Sequence, residues 1–301
     1  MSPLLKSRMT SMHIEAISTG ASAHHNEDWA GSFVRGDTSD LVILDGATSV
    51  AGRDYIDLAN GDVRWFVTRF ALALETAITA GLAQAQAVHA AAETVERAFR
   101  AAGAADEMPV YAWPIAALSW VRIRDGDAGH RLELYCLGDC KVLLRTRNGA
   151  VRDLDPFVNP QEGVVKAEIA RLQAEGVSDP AARLERMMPM LRARRVEQST
   201  AVHTNALCLR PNGAFGARTA AFDAPPGSAV LAMTDGFYRL VDTYGLHTPS
   251  SLFDLCIERG LEAAVTDLRS HEAAARAAAP LAVKRADDAS AILWRAPLPH
   301  F

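Results

Sequence analysis

Long apolar runs are missing from this 301-residue chain. No window approaches the roughly 18 to 20 consecutive apolar residues of a membrane span, so no membrane association is expected. Cysteine is scarce. Cys136, Cys140, Cys208 and Cys256 are too few for a disulfide framework and read as reduced thiols. No basic excess exists either: 31 Lys and Arg face 36 Asp and Glu, for a net charge of −5. Without a basic block, a protein held on nucleic acid by phosphate contacts is not expected. Met1 to Met12 holds Lys6 and Arg8 but no apolar core of signal-peptide length. A cytoplasmic protein is the expectation.

Familiar catalytic signatures are also absent. The sequence has no G-x-x-x-x-G-K-[ST] loop, no G-x-G-x-x-G after a strand, no G-x-S-x-G elbow and no H-E-x-x-H. Cys136 and Cys140 lack the C-x-x-C partners of a zinc site. Cys140 meets Arg145 one residue too early for the phosphate cradle of a cysteine-nucleophile phosphatase. Asp153-Leu154-Asp155 follows a hairpin and precedes Pro156, as an ordinary loop does.

What is present is an average globular composition, 49% apolar and 22% charged. Met12, Ile14 and Ala16 alternate with polar residues, the period of a half-buried strand. A strand follows at Ser32 to Arg35, and Leu41-Val42-Ile43-Leu44 reads as one buried on both faces. Val63, Phe66, Val67, Phe70, Leu74 and Ile78 recur at helical steps, and Gly81 divides that helix from a second one through Phe99. Strands return at Ile115 to Ile123, Leu132 to Cys136 and Val142 to Leu144, where Asn148-Gly149 predicts a tight hairpin. Two helices are predicted between Gln161 and Arg195. The second is Arg-rich (Arg183, Arg186, Arg192, Arg194, Arg195), the pattern of a solvated face. Further strands are predicted at Val202 to Leu209, Ala217 to Phe222 and Val230 to Thr234. A helical pair spans Ser251 to Ala279, and the last strand is Ser290 to Trp294. With no linker and no repeat, a single layered domain is expected.

The informative feature is acid at strand ends. Leu41 to Leu44 runs into Asp45-Gly46, and Val230 to Thr234 runs into Asp235-Gly236. Gly138-Asp139 follows one strand, Asp287-Asp288 precedes another, and Asn26-Glu27-Asp28 lies between two. Any single Asp-Gly is an ordinary turn dipeptide. Five such ends imply convergence, and converging carboxylates repel unless cations lie among them. Carboxylates with a backbone carbonyl are the ligand set of hard divalent ions, Mg²⁺ or Mn²⁺.

In this order, Asn26-Glu27-Asp28, Asp45-Gly46, Gly138-Asp139, Thr234-Asp235-Gly236 and Asp287-Asp288-Ala289-Ser290 resemble the motif series of the metal-dependent protein phosphatases (PPM, or type 2C). The resemblance spans residues 12 to 296 and leaves a helical insertion at about 161–195. It implies an α+β fold, a four-layer α-β-β-α sandwich of two antiparallel sheets flanked by helices. It also implies hydrolysis of phosphoserine and phosphothreonine in proteins through a metal-bridging hydroxide. Two divalent cations, Mg²⁺ or Mn²⁺, are the implied cofactors and a phosphoprotein the implied substrate. By the same resemblance, Asp45, Asp235 and Asp287 are the catalytic carboxylates. Asp45 bridges the cations, the Gly46 carbonyl binds one, and Asp235 and Asp287 complete the other's shell. Glu27 and Asp28 bind the first cation or orient its waters.

Departures lie on the substrate side. Where the family often has a phosphate-gripping Arg, this chain has Ala23, which leaves His24, His25, Arg53 or Arg239 to contact the phosphate. Where some members carry a leaving-group His, it has Ala47. Asp139 supplies half of a third metal site whose other position is Arg239. Two further functions therefore stand beside the first: hydrolysis of a small or unusual phosphoester, and a non-catalytic phosphatase-like regulator.

Overall fold

The structure is a computed structural model and describes residues 12–22, 25–103, 107–274 and 286–296. Two antiparallel sheets lie face to face. One has the order β1-β11-β10-β6-β7 and the other β2-β3-β4-β5-β9, with β8 beside β4. The first contains β1 (His13–Thr19), β6 (Lys141–Arg145), β7 (Val151–Asp153), β10 (Ala229–Met233) and β11 (Ala289–Arg295). The second contains β2 (Trp29–Arg35), β3 (Thr38–Gly46), β4 (Ile115–Gly126), β5 (Gly129–Leu137), β8 (Leu207–Cys208) and β9 (Arg218–Ala224).

Strand alternation sorts the core into layers. Leu41, Ile43, Val121, Leu134, Val142, Val230, Ile292 and Trp294 form the cluster between the sheets. The alternate residues Val42, Leu44, Leu118 and Trp120 turn outward against α1 (Asp62–Thr79) and α2 (Gln84–Ala101). On the far side Leu231, Met233 and Leu293 pack against α5 (Asp235–Tyr238), α6 (Pro249–Arg259) and α7 (Leu261–Ala274). The α-β-β-α sandwich is thus present, with Phe66, Phe70, Phe99, Phe237 and Phe253 wholly buried under its helices. At roughly 1.5–3 kcal/mol for each large apolar side chain, these layers supply the main favourable term in folding.

The insertion forms α3 (Pro160–Ala174) and α4 (Pro180–Thr200), slightly longer than the sequence suggests. Asn159 and Asp179 cap their N-termini, each followed by Pro at the first helical position. A small separate core of Ile169, Leu172 and Met187 joins the two helices. The Arg-rich face of α4 is not simply solvated. Arg183 and Arg195 are buried, and Arg192 donates to the carbonyls of Val50 and Ala51. Guanidinium groups have found backbone acceptors that helical periodicity cannot reveal. The strand expected at Val202 to Leu209 shrinks to Leu207–Cys208. The preceding residues form a loop that secures the end of α4, where Thr204 Oγ1 donates to the Gln198 carbonyl at 2.7 Å. The Asn148-Gly149 hairpin is as read, with β6 and β7 paired through Arg145 and Val151.

Candidate metal centre and substrate cleft

Alternation carries the site residues to one end of the sandwich. Asp45 has the parity of Leu41 and Ile43, so it continues their inter-sheet face at the end of β3. Thr234 follows Val230 and Ala232 in the same way, and Ser290 precedes Ile292 and Trp294 on that face. Register places these ends together: Gly46 lies opposite Ala116, Leu118 opposite Leu137, and Met233 opposite both Lys141 and Ala291.

The glycines of the acidic motifs permit this closure. A Cβ on Gly46 would stand 2.5 Å from the Glu27 carbonyl oxygen, and one on Gly236 would stand 1.9 Å from that of Asp288. Each Asp-Gly therefore lets another acidic segment approach closely.

Between the strand ends lies a cleft of about 480 Å³. Asp45, Asp139, Asp235 and Asp287 line it together with Gln161 and Glu197 from the insertion. Asp45 is hydrogen-bonded to Asp235. Burial first, then the charges of Asp235, Asp28 and Asp139, push its carboxyl well above the usual range. Asp28 is raised in the same direction by burial and by Asp288 and Asp235, against the opposing hydroxyls of Thr234 and Ser290. Asp139 is raised by burial, with Asn159 opposing the shift and Glu162 adding to it. Asn159 Nδ2 donates to Asp139 Oδ2 at 2.7 Å.

The other candidates are placed as follows. Glu27 is buried, and its Oε1 lies 3.1 Å from Nε2 of half-exposed His25. Asp287 pairs with Arg239 at 3.9 Å, and Arg239 lies over the Tyr244 ring. Arg53 is exposed and stacks on Tyr55 at 4.3 Å; neither it nor Arg239, Glu27, Asp28 or His25 is among the residues lining the cleft. His24 lies outside the described residues.

Several contributors escape sequence reasoning. Asp288 accepts the backbone N–H groups of Ala21 and Glu27 at 2.7 and 2.6 Å. Arg269 from α7 donates to the Asp287, Thr19 and Gly20 carbonyls, binding the first acidic segment to the last. Arg218 makes a two-pronged contact with Asp155 and donates to the Gly138 carbonyl. Arg195 donates to the Thr48 carbonyl at 3.1 Å. Asp288 belongs to the last acidic motif, but its role as an acceptor for the first is not legible in the sequence. Arg269, Arg218 and Arg195 belong to no acidic strand end, and no local spacing marks them.

The donor set suits a hard cation. Among the described residues no three acidic, His or Cys side chains are grouped so as to hold a metal ion by themselves. Mg²⁺ and Mn²⁺ do not require such a group, because waters fill most of the shell around one or two carboxylates. The Asp45–Asp235 contact is held by a proton that a cation could replace, and buried Asp28 Oδ2 has no hydrogen-bond partner. Residues and cation fit.

Sequence comparison matches the chain to no family model and to no curated protein. Comparison of structures finds similar folds. PppA, a key regulatory component of T6SS in Pseudomonas aeruginosa, is 16% identical with a TM-score of 0.52, over 96% of this chain and 99% of that one. The catalytic domain of the serine/threonine protein phosphatase PstP, solved with two manganese ions, is 14% identical with a TM-score of 0.52, over 94% and 97%. The PPM Ser-Thr phosphatase MsPP from Mycobacterium smegmatis, solved with cacodylate, is 16% identical with a TM-score of 0.51, over 97% and 99%. The chain thus has the fold of the PPM-type serine/threonine phosphatases.

Proposed function

We propose that this chain is a metal-dependent phosphatase hydrolysing phosphoserine and phosphothreonine in proteins, as one catalytic domain in the cytoplasm. The observation that carries this reading is the half-buried Asp45–Asp235 contact, with Asp28 and Asp139 close enough to act on it. The manganese ions named for PstP support the choice of cation.

In this reading Asp45, the Gly46 carbonyl, Asp235 and Asp287 hold two divalent cations, with Glu27 and Asp28 completing or orienting the shell. When bound, such cations lower the pKa of coordinated water and offset charge on the phosphate. Around them the chain positions its own groups. Asp288 and Arg269 fix the Glu27 and Asp287 segments. Asn159 orients Asp139. Arg239, held beside Asp287, supplies positive charge for a phosphate dianion. The same guanidinium stands where a third cation would need a carboxylate, so two cations are proposed rather than three.

Hydrolysis of 4-nitrophenyl phosphate, measured with a chelator and with Mn²⁺ or Mg²⁺, tests the reaction. Phosphopeptide and small-phosphoester panels then test the substrate class. Turnover confined to small esters would favour the second function. No metal-dependent turnover on any ester, in a protein whose melting point Mn²⁺ raises, would leave the regulatory function.

A further inference from the structure

The cleft also holds a histidine that no acidic motif predicts. His203 lines it together with Asp45 and Asp235. With φ at 57°, it is the only non-glycine residue of positive φ among the described residues. This left-handed conformation is disfavoured, although histidine, asparagine and aspartate adopt it more readily than most side chains. Such strain persists only where the surroundings dictate it, and it concentrates at functional sites. Here they do. The Gly216 N–H donates to the Thr204 carbonyl at 2.8 Å, and the Gly138 N–H donates to the Asn205 carbonyl at 2.8 Å. Arg218 Nη1 donates to Asn205 Oδ1 at 2.6 Å. A Cβ at Gly216 would stand 2.2 Å from the His203 carbonyl oxygen, so only glycine admits this packing. The loop holding His203 is thereby joined to the Gly138-Asp139 turn.

The ring has a defined orientation as well. His203 Nδ1 lies 3.1 Å from the Ala214 carbonyl oxygen. A carbonyl only accepts, so Nδ1 carries the hydrogen and Nε2 is the nitrogen available for proton transfer.

We propose that His203 is the catalytic acid that protonates the departing alcohol, an inference that rests on the phosphatase reading above. A serine or threonine alkoxide is a poor leaving group, and proton donation in the transition state relieves it. As water oxygen bonds to phosphorus, the P–O bond to the alcohol breaks and its electron pair stays on the alcohol oxygen. That oxygen takes the Nε2 proton of the His203 imidazolium, giving neutral alcohol and neutral imidazole. The attacking water releases one proton to solvent, and the imidazole recovers one from it.

The test compares wild type with His203→Asn, which tolerates the left-handed backbone but cannot serve as the acid. Two esters are used with Mn²⁺: 4-nitrophenyl phosphate, whose leaving group needs no proton, and a phosphoseryl peptide, whose leaving group does. The variant should lose about 10²- to 10⁴-fold in kcat/KM on the peptide. Its loss on the aryl ester should be far smaller, and the Mn²⁺-induced rise in melting temperature should equal that of wild type. Equal losses on both esters, or no loss on either, would overturn the assignment. A reduced Mn²⁺ shift would recast His203 as a structural support of the metal centre. If wild type cleaves neither ester, it is the phosphatase reading that fails.

Discussion

The carboxylate of Asp288 accepts the Glu27 backbone N–H at 2.6 Å, across 261 residues of sequence. Its other oxygen accepts the Ala21 N–H at 2.7 Å. One side chain of the last acidic motif thus sets the path of the first. Hydrogen bonds to a charged group contribute about 1.5–3 kcal/mol each. Asp288→Asn presents an NH₂ group to one of these donors and should lower stability. Groups supporting metal ligands typically change metal affinity about 10- to 100-fold, and a weakening in that range is expected. Calorimetric Mn²⁺ titration and thermal melts check both effects; unaltered affinity would confine Asp288 to a fold role.

Asp45→Asn and Asp235→Asn should abolish metal-dependent turnover. Each removes a charge from a self-repelling cluster, so metal-free stability should hold or rise. The wild type should gain from Mn²⁺ by mass action, about 2.7 kcal/mol at a hundredfold excess over Kd, and the variants much less. Melts with a chelator and with Mn²⁺ separate this from a turn aspartate, whose loss costs stability whatever the metal.

A pH dependence follows from the raised carboxyls of Asp28, Asp45 and Asp139. Below the ordinary range, about pH 4, these groups are protonated in folded and unfolded chains alike. As pH rises through that range the unfolded chain releases protons that the folded chain retains. Their contribution is therefore fully present below the ordinary range and lost as pH rises through the raised values. Cation binding needs the ionised forms, so the stabilisation by Mn²⁺ should grow with pH over the same window. Paired melts across pH measure that difference directly; a pH-independent Mn²⁺ gain would contradict it.

The central strands were legible because Leu41 to Leu44 and Val230 to Met233 are short continuous apolar runs, buried on both faces, and Asp45 and Asp235 follow their ends. The layers followed from the family resemblance. Less legible were groups whose roles depend on distant backbone. Arg195 and Arg192 lie on what periodicity reads as a solvated face, yet they reach the carbonyls of residues 48, 50 and 51. His203 falls in a stretch apolar enough to resemble a strand, although its backbone forms a left-handed turn. Arg53 had no local signal to separate it from Arg239, and only folding shows one exposed and stacked on half-buried Tyr55 and the other beside Asp287.

Arg239→Ala should raise KM or lower kcat/KM for a phosphopeptide, because it removes a guanidinium suited to the phosphate dianion. Loss of its pairing with Asp287 leaves every acidic ligand in place, so Mn²⁺ should still bind. The combination of lost substrate affinity with retained Mn²⁺ binding distinguishes a phosphate contact from a scaffold for Asp287. Unchanged kinetics would redirect attention to His25, which already contacts Glu27.

Arg195 permits a prediction of opposite sign. Its guanidinium is buried and donates to the Thr48 carbonyl. Burial pushes its pKa down to about 10, and the negative charge of Glu27 counters that fall. The guanidinium therefore offsets the charge of Glu27, a proposed ligand of the candidate metal centre. Removing one of two interacting buried charges leaves the other uncompensated and is destabilising, so Arg195→Met should lower metal-free stability. With the guanidinium gone, Glu27 attracts cations more strongly. A change on the order of 1 kcal/mol, about fivefold tighter Mn²⁺ binding, is expected for one screened charge at this range. Turnover should not improve with it, because the loop carrying Thr48 loses an anchor. A substitution that merely loosened the site would weaken Mn²⁺ binding instead. Calorimetric titration of the variant decides between these signs, and weaker binding would assign Arg195 to holding the loop rather than to tuning the metal centre.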